Sequence, residues 1–201
     1  FWVGCSGALV QRGVDTTRSM ASVLKKAGIQ FAVLGDEETC TGDPARRLGN
    51  EYLFQMQAET NIETFKQYDV KKIITTCPHC FNTIKNEYPQ LGGNYDVIHY
   101  TAFVGELLKD GKLKPTEAGI GKIGTVTYHD SCYLGRHNGE FGAPREIMSS
   151  IPGLDFVEMD RNQERSFCCG AGGGQMWMEA EGERVNHMRT DQFLETDAET
   201  V

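Results

Sequence analysis

The chain has 201 residues, 39% hydrophobic and 24% charged, with a formal net charge of −8. That is the profile of an ordered globular protein with a real core and room for one large domain or two small ones. The acidic balance argues against nucleic acid as a main partner. No run approaches the roughly 18 apolar residues of a membrane span and no signal peptide opens the chain, so this piece is expected to lie in water, in the cytoplasm. The sequence begins at Phe1 rather than Met, so its natural start is expected upstream.

In chain order, Asp15 or Thr16 can cap a helix whose apolar stripe is Met20, Val23, Leu24 and Ala27, stopped by Gly28. Ile29 to Leu34 reads as a buried strand leading towards Cys40. Asp43 before Pro44 is an N-cap with proline at the first helical position, opening a long helix that runs to about Tyr68. Lys71 to Thr76 is a strand running into Cys77-Pro78-His79-Cys80, followed by a helix from Phe81 to Tyr88. Tyr95 to Tyr100 reads as strand and Thr101 to Asp110 as helix. Past the soft stretch Lys109 to Gly124 the plan returns: strand Thr125 to His129, a loop with Cys132, helix Pro144 to Ser150, strand Leu154 to Met159, and a loop with Cys168-Cys169. Helices follow to about Thr196. Alternating strands and helices predict an α/β fold with parallel sheets and Rossmann-like crossovers. The cysteines fall at strand ends or helix starts, the edge where open α/β sheets place their sites.

The chain repeats itself. Cys132 lies 127 residues after Cys5, and Cys168 lies 128 residues after Cys40. Two tandem copies of one unit are expected, residues 1–112 and 123–201, related by a pseudo-twofold axis. The same offset places the counterpart of Cys77 at position 205, past Val201, so the second repeat reads as truncated and its site as incomplete. With at most three thiolates there, that site is expected to be empty, disordered or oxidised in this chain.

Seven cysteines are an awkward odd number for a disulfide scaffold, and a core of this size needs no staples. Reduced thiols held for metal or redox work are the better reading. Cys5, Cys40, Cys77 and Cys80 form one set of four, delivered by three loops to one sheet edge, within about 7 Å of each other if they share a cubane. Four thiolates can hold a tetrahedral zinc or a [4Fe–4S] cubane, and spacing alone does not choose. Gly4, Gly7 and Gly42 bracket these cysteines and would let backbone N–H groups approach inorganic sulfide. A helix starting at Pro78 would aim its dipole at Cys77. The second set is Cys132, Cys168 and Cys169. Adjacent cysteines cannot both chelate one zinc without backbone strain, but they can sit on different irons of one cluster. The run Gly170-Ala171-Gly172-Gly173-Gly174 lacks the G-x-G-x-x-G register of a nucleotide loop and fits a nest of N–H groups facing an anionic cluster.

The pattern Cys132-x35-Cys168-Cys169-Gly170, with a Cys-x-x-Cys expected beyond the end, resembles the CCG cysteine-rich domain of heterodisulfide reductase catalytic subunits, glycolate oxidase iron–sulfur subunits and related (Fe–S) oxidoreductases. The stretches Thr39 to Asn50, Cys77 to Ile84 and Ser166 to Gly174 are similar to one branch especially, the membrane-anchored iron–sulfur reductases linked to electron-transfer flavoprotein. The resemblance implies a [4Fe–4S] cluster on Cys5, Cys40, Cys77 and Cys80, and a second, CCG-type, non-cubane cluster on Cys132, Cys168 and Cys169. It implies electron transfer between a flavoprotein or substrate and a quinone or disulfide acceptor, with Cys168, Cys169 and His129 at the reacting site. Cys40-Thr41-Gly42 departs from Cys-Cys-Gly, which points to an ordinary four-cysteine cluster in the first repeat.

Two other functions compete with this one. A zinc-stabilised binding module would need the same thiols without redox work. Cys77-Pro78-His79-Cys80 is also the active-site tetrapeptide of some thiol–disulfide oxidoreductases, although two α/β steps precede it here and five further cysteines would go unused. His129 and Asp130 could relay protons; a strand-end histidine bonded to Asp130 for structure is an equal reading. His79 would tune a cluster rather than ligate it, and His99, His137 and His187 are structural or superficial. Arg46, Arg47, Arg136 and Arg165 would offset cluster charge or stay solvated. Met176, Trp177 and Met178 are expected to pack between sheet and helix.

Overall fold

The computed structural model describes residues 1–117, 123–179 and 181–201. The chain divides into two compact units, 1–113 and 114–201. Part of the expected linker Lys109 to Gly124, residues 118–122, lies outside the described residues.

Unit one carries helices α1 (Gly4–Leu9), α2 (Gln11–Lys26), α3 (Asp43–Arg47) and α4 (Glu51–Gln67), strand β1 (Lys72–Thr75), helix α5 (Pro78–Asn82), strand β2 (Asp96–His99) and helix α6 (Tyr100–Lys109). β1 and β2 pair in parallel, with Lys72 opposite Asp96 and Thr75 opposite His99. Trp2 forms a further parallel bridge to Thr75, its N–H donating to the Ile74 carbonyl at 2.8 Å. Leu24, Phe54, Ala58, Phe65, Ile84 and Tyr88 fill the core.

Three expectations change here. Ile29 to Leu34 is not a strand and carries no ladder hydrogen bonds. Its link to the rest of the sheet is the Phe1 nitrogen donating to the Ala32 carbonyl, and beside it lies an apolar cavity of about 620 Å³ lined by Phe31, Phe65 and Ile73 rather than a partner strand. α2 begins four residues before the proposed cap, at Gln11 after an extended Val10. Gly13 makes that possible: a Cβ there would stand 1.9 Å from the Ser6 carbonyl oxygen, so only glycine lets α1 and α2 approach so closely. The long helix from Asp43 is two helices, because the Asn50 side chain accepts the Leu53 N–H at 3.0 Å and caps a new start.

In unit two, Val126 bridges in parallel to both Phe156 and Thr200, and the helices are α7 (Gly142–Ser150) and α8 (Val185–Leu194). The expected strands Thr125 to His129 and Leu154 to Met159 shrink to these bridges. Side chains take the backbone groups at their ends: Ser166 Oγ donates to the Asp130 carbonyl at 3.1 Å and Asn162 Nδ2 to that of Met159 at 2.7 Å. Leu134 and Met159 are its buried anchors. Met176, Trp177 and Met178 do not pack inside. They form a locally bonded turn at 51%, 77% and 50% exposure, because the Trp177 and Met178 N–H groups bond back to Gly174 and Gln175 and no helix is laid over them among the described residues. Helices with parallel strand pairing make the chain α/β. No helix among the described residues is long and apolar enough to cross a membrane.

Leu24 on α2 is fully buried in the cluster with Met20 and Ile74. Leu24→Ala is expected to cost about 2–5 kcal/mol, read as a lower urea midpoint at unchanged slope.

Candidate metal centre

In unit one, three segments bring the cysteines together. Cys5 sits in the first turn of α1, whose start is held by Glu38: its carboxylate accepts the N–H groups of Val3, at 3.0 Å, and Gly4. Cys40 ends the loop before α3, and its sulfur accepts the Gly42 N–H at 3.5 Å. Cys77 is the extended residue ahead of α5, and Cys80 is buried one turn along. Burial raises the pKa of Cys40, and the neighbouring Cys5, Asp43 and Cys77 raise it further. A hydrogen bond from the Cys80 thiol draws Cys77 down to about 6, helped by the N–H groups of Cys80 and His79. Cys80 is held well above the ordinary thiol range by the same bond and by burial. Charge on Cys5 and Cys77 raises Cys40, and charge on Cys77 raises Cys80; a shared cation would relieve that repulsion, so the donor set fits a cysteine-ligated metal group.

Around them stands a polar frame. Asp43, nearly inaccessible on α3, accepts from Arg47 Nε at 3.1 Å and Thr83 Oγ1 at 3.3 Å, and its other oxygen lies 2.8 Å from His79 Nδ1. Burial alone would raise its pKa, but His79 and Arg47 outweigh that and lower it. Arg46 and Arg47 both pair with the buried Glu87, Arg46 at 2.9 Å, so neither is a free counter-charge, and Arg47 remains exposed. His99 is interior, within 2.8 Å of Thr101 Oγ1 and 3.1 Å of the Thr76 carbonyl; burial lowers its pKa to about 4.

In unit two, Cys132, Cys168 and Cys169 form the second group. Burial raises the Cys132 pKa, with Cys168 and Cys169 adding to it and Arg136 opposing. Cys168 sulfur accepts the Gly170 N–H at 3.3 Å, matching the Cys40–Gly42 bond. His129 is not bonded to Asp130. Its Nδ1 accepts from Arg189 Nε at 3.1 Å, and burial followed by Arg189 lowers its pKa to about 4, so it stands neutral. Asp130 is instead gripped by Arg145, through two bonds of 2.8 Å, and by the Gln163 N–H at 2.7 Å. Arg136 donates to the Ser166 carbonyl, Arg165 to that of Asp160 at 3.1 Å, and His137 stacks on Tyr133 at 4.4 Å, while His187 is exposed. Among the described residues, no three His, Cys, Asp or Glu side chains are drawn close enough to hold a single metal ion.

The profile of the cysteine-rich domain family CCG matches residues 1–85 and 126–201. The chain belongs to this family. Among CCG relatives, the probable iron–sulfur-binding oxidoreductase FadF of Bacillus subtilis is 49% identical over all of this chain and 28% of its own length. The EtfAB:quinone oxidoreductase of Syntrophomonas wolfei is 46% identical over the whole chain and 29% of that protein. A component of the dihydromethanophenazine:CoB–CoM heterodisulfide reductase of Methanosarcina barkeri is 39% identical over the whole chain and 50% of that component. The chain thus spans between about three tenths and half of these relatives.

Composition and cysteine spacing did not single out Asp43, Glu87 or Arg189. The first two are ordinary helix-end charges in sequence, and only their long-range partners, about 40 residues away, reveal them. Arg189 is one arginine of an exposed-looking helix, yet it is 5% exposed and donates to His129, the Arg161 carbonyl and Gln192.

Gly42 has φ +86°, and a Cβ there would meet Phe54 at 2.8 Å and its carbonyl oxygen at 3.0 Å. Gly42→Ala is expected to cost about 1–3 kcal/mol and to displace the N–H that bonds Cys40 sulfur, seen as lower thermal stability and faster alkylation of Cys40. Arg145→Met leaves the buried Asp130 carboxylate without its cation, and a loss of about 3–5 kcal/mol is expected in the unfolding of unit two.

Proposed function

We propose that the chain is an iron–sulfur electron-transfer module of a heterodisulfide-reductase-like oxidoreductase. Cys5, Cys40, Cys77 and Cys80 hold a [4Fe–4S] cluster. Cys132, Cys168 and Cys169 contribute ligands to a second, CCG-type cluster. The observation that carries this reading is the gathering of four thiols from three separate segments of unit one, with Cys5 and Cys77 both raising the Cys40 pKa and Cys77 bonded to Cys80. The names of the relatives support iron–sulfur redox work, and the EtfAB:quinone and heterodisulfide names support a flavoprotein or another redox protein as donor and a quinone or disulfide as acceptor. A bound cluster supplies one-electron transfer. The protein's own part is to hold the thiolates, to bring the Gly42 and Gly170 N–H groups to the Cys40 and Cys168 sulfurs, and to bury Cys80.

The two units are read as copies of one Rossmann-like repeat with boundaries near 112 and 123. Support comes from the matching parallel bridges, Trp2 to Thr75 and Val126 to Thr200, and from the matching Gly N–H to cysteine bonds. In the second copy His129, whose Nδ1 accepts from Arg189 and whose proton is therefore on Nε2, relays protons to a reduced substrate at Cys168 or Cys169. A relative from Chromohalobacter salexigens is named a probable membrane-anchored ferredoxin, which supports reading the protein as working at a membrane, on our reading its cytoplasmic face.

The test is iron and sulfide analysis of protein purified without oxygen, with visible spectra before and after reduction. Bound iron and sulfide, a broad absorption that bleaches on reduction, and loss of one cluster's iron in Cys40→Ala are expected. Zinc alone would sink the reading. The Cys77–Cys80 hydrogen bond favours one second reading, a dithiol–disulfide couple. Metal-free protein with a reversible Cys77–Cys80 disulfide and full disulfide-exchange activity in Cys40→Ala would establish that one instead.

A further inference from the structure

Cys80 is the most enclosed of the unit-one thiols, and two donors converge on it. Thr41 is 2% exposed and its Oγ1 lies 3.9 Å from Cys80 Sγ. On the other side is the indole of Trp2, also 2% exposed. A Cβ placed on Gly4 would stand 3.5 Å from Cys80 Sγ and 3.8 Å from Trp2 Nε1, so the N–H and the sulfur share one small space. Trp2 Nε1 is buried with no hydrogen-bond partner among the described residues. Leaving such a donor unpaired costs about 1–3 kcal/mol, and a phenylalanine would fill the same place without that cost. The ring is not free to turn away. Its backbone N–H is bonded to Ile74, and the indole meets the Phe65 ring edge-on at 5.5 Å.

A neutral thiol is a weak acceptor, whereas a thiolate attracts donors strongly. The orphaned N–H therefore suits Cys80 as an iron-bound thiolate. Thr41 sharpens the point. It stands where unit two carries Cys169, the second cysteine of the CCG motif, so unit one has a hydroxyl donor where unit two has another sulfur.

We propose that Trp2 and Thr41 are positioning residues that donate N–H···S and O–H···S hydrogen bonds to the Cys80 thiolate and so set the reduction potential of the cluster in unit one. This rests on the cluster reading above. When such a cluster takes up one electron from a reductant its negative charge grows, and donors to a ligand sulfur stabilise the reduced form more than the oxidised one. Both donors therefore raise the potential.

The experiment is an EPR-monitored redox titration of the cluster-loaded protein, following the signal that disappears in Cys40→Ala. Trp2→Phe keeps the buried ring and removes the donor; Thr41→Val keeps the shape and removes the hydroxyl; Thr41→Ser restores it. Full iron content with a potential shifted negative in Trp2→Phe and Thr41→Val, further in the double variant, and near wild type in Thr41→Ser is the expected result. Unchanged potentials at full iron content overturn the inference and leave the cluster reading standing. Wild-type protein that binds no iron overturns the cluster reading itself. If Trp2→Phe fails to fold, the contrast between Thr41→Val and Thr41→Ser decides.

Discussion

The carboxylate of Asp43 is the contact on which unit one's site depends. It stands three residues after Cys40 and reaches across about 40 residues of chain to His79, inside the Cys77–Cys80 turn, and to Thr83 in the turn that follows. One buried anion thus fixes the spacing between two cysteine segments that no strand ladder joins. Charge-assisted bonds of this kind are about twice as strong as neutral ones and directional, which a set of soft apolar contacts would not be. The cation for it comes from Arg47 on its own helix, which also reaches Glu87. The network closes on itself: Arg46 joins the same Glu87 and lies over the Phe54 ring at 4.4 Å.

Unit two meets the same requirement with different residues. Asp130, two residues before Cys132, is held by Arg145 from α7 and by the backbone of Gln163. Its carbonyl receives Ser166, two residues before Cys168. Again one aspartate joins the two segments that carry cysteines. Arg145 also pairs with Glu158 at 2.6 Å, tying α7 to the segment bridged to Val126. In both units the polar network holds the cysteine loops and the apolar core holds the elements behind them.

Much of this was legible in the sequence. The cysteine spacing, the glycine-stopped helices and the CPHC turn pointed to the family, because local signals of that kind act over a few residues. The strand at Ile29 to Leu34 was misread for a physical reason: an apolar run says that a segment is covered, not that a neighbour is in register to bond it. The break at Asn50 was written in its capping side chain but was hidden by helical sequence on both sides. The tryptophan turn at 175–177 looked like core because Met and Trp are apolar, and only the local bonds to Gly174 and Gln175 show that it faces water. Asp43, Glu87 and Arg189 could not be found from spacing, since each is defined by partners distant in sequence or by a burial that its polar neighbours do not announce.

The two tryptophans of this chain have opposite surroundings, one per unit. Trp2 is sealed against Phe65 beside the Cys80 sulfur, and Trp177 is 77% exposed just past the glycine loop that follows Cys168-Cys169. Their emission is therefore separable by colour and by quencher access, the buried indole shielded and emitting to the blue, the exposed one open to a soluble quencher. The protein carries its own pair of optical reporters, one in each unit, and the order in which its two halves melt can be read without attaching any dye.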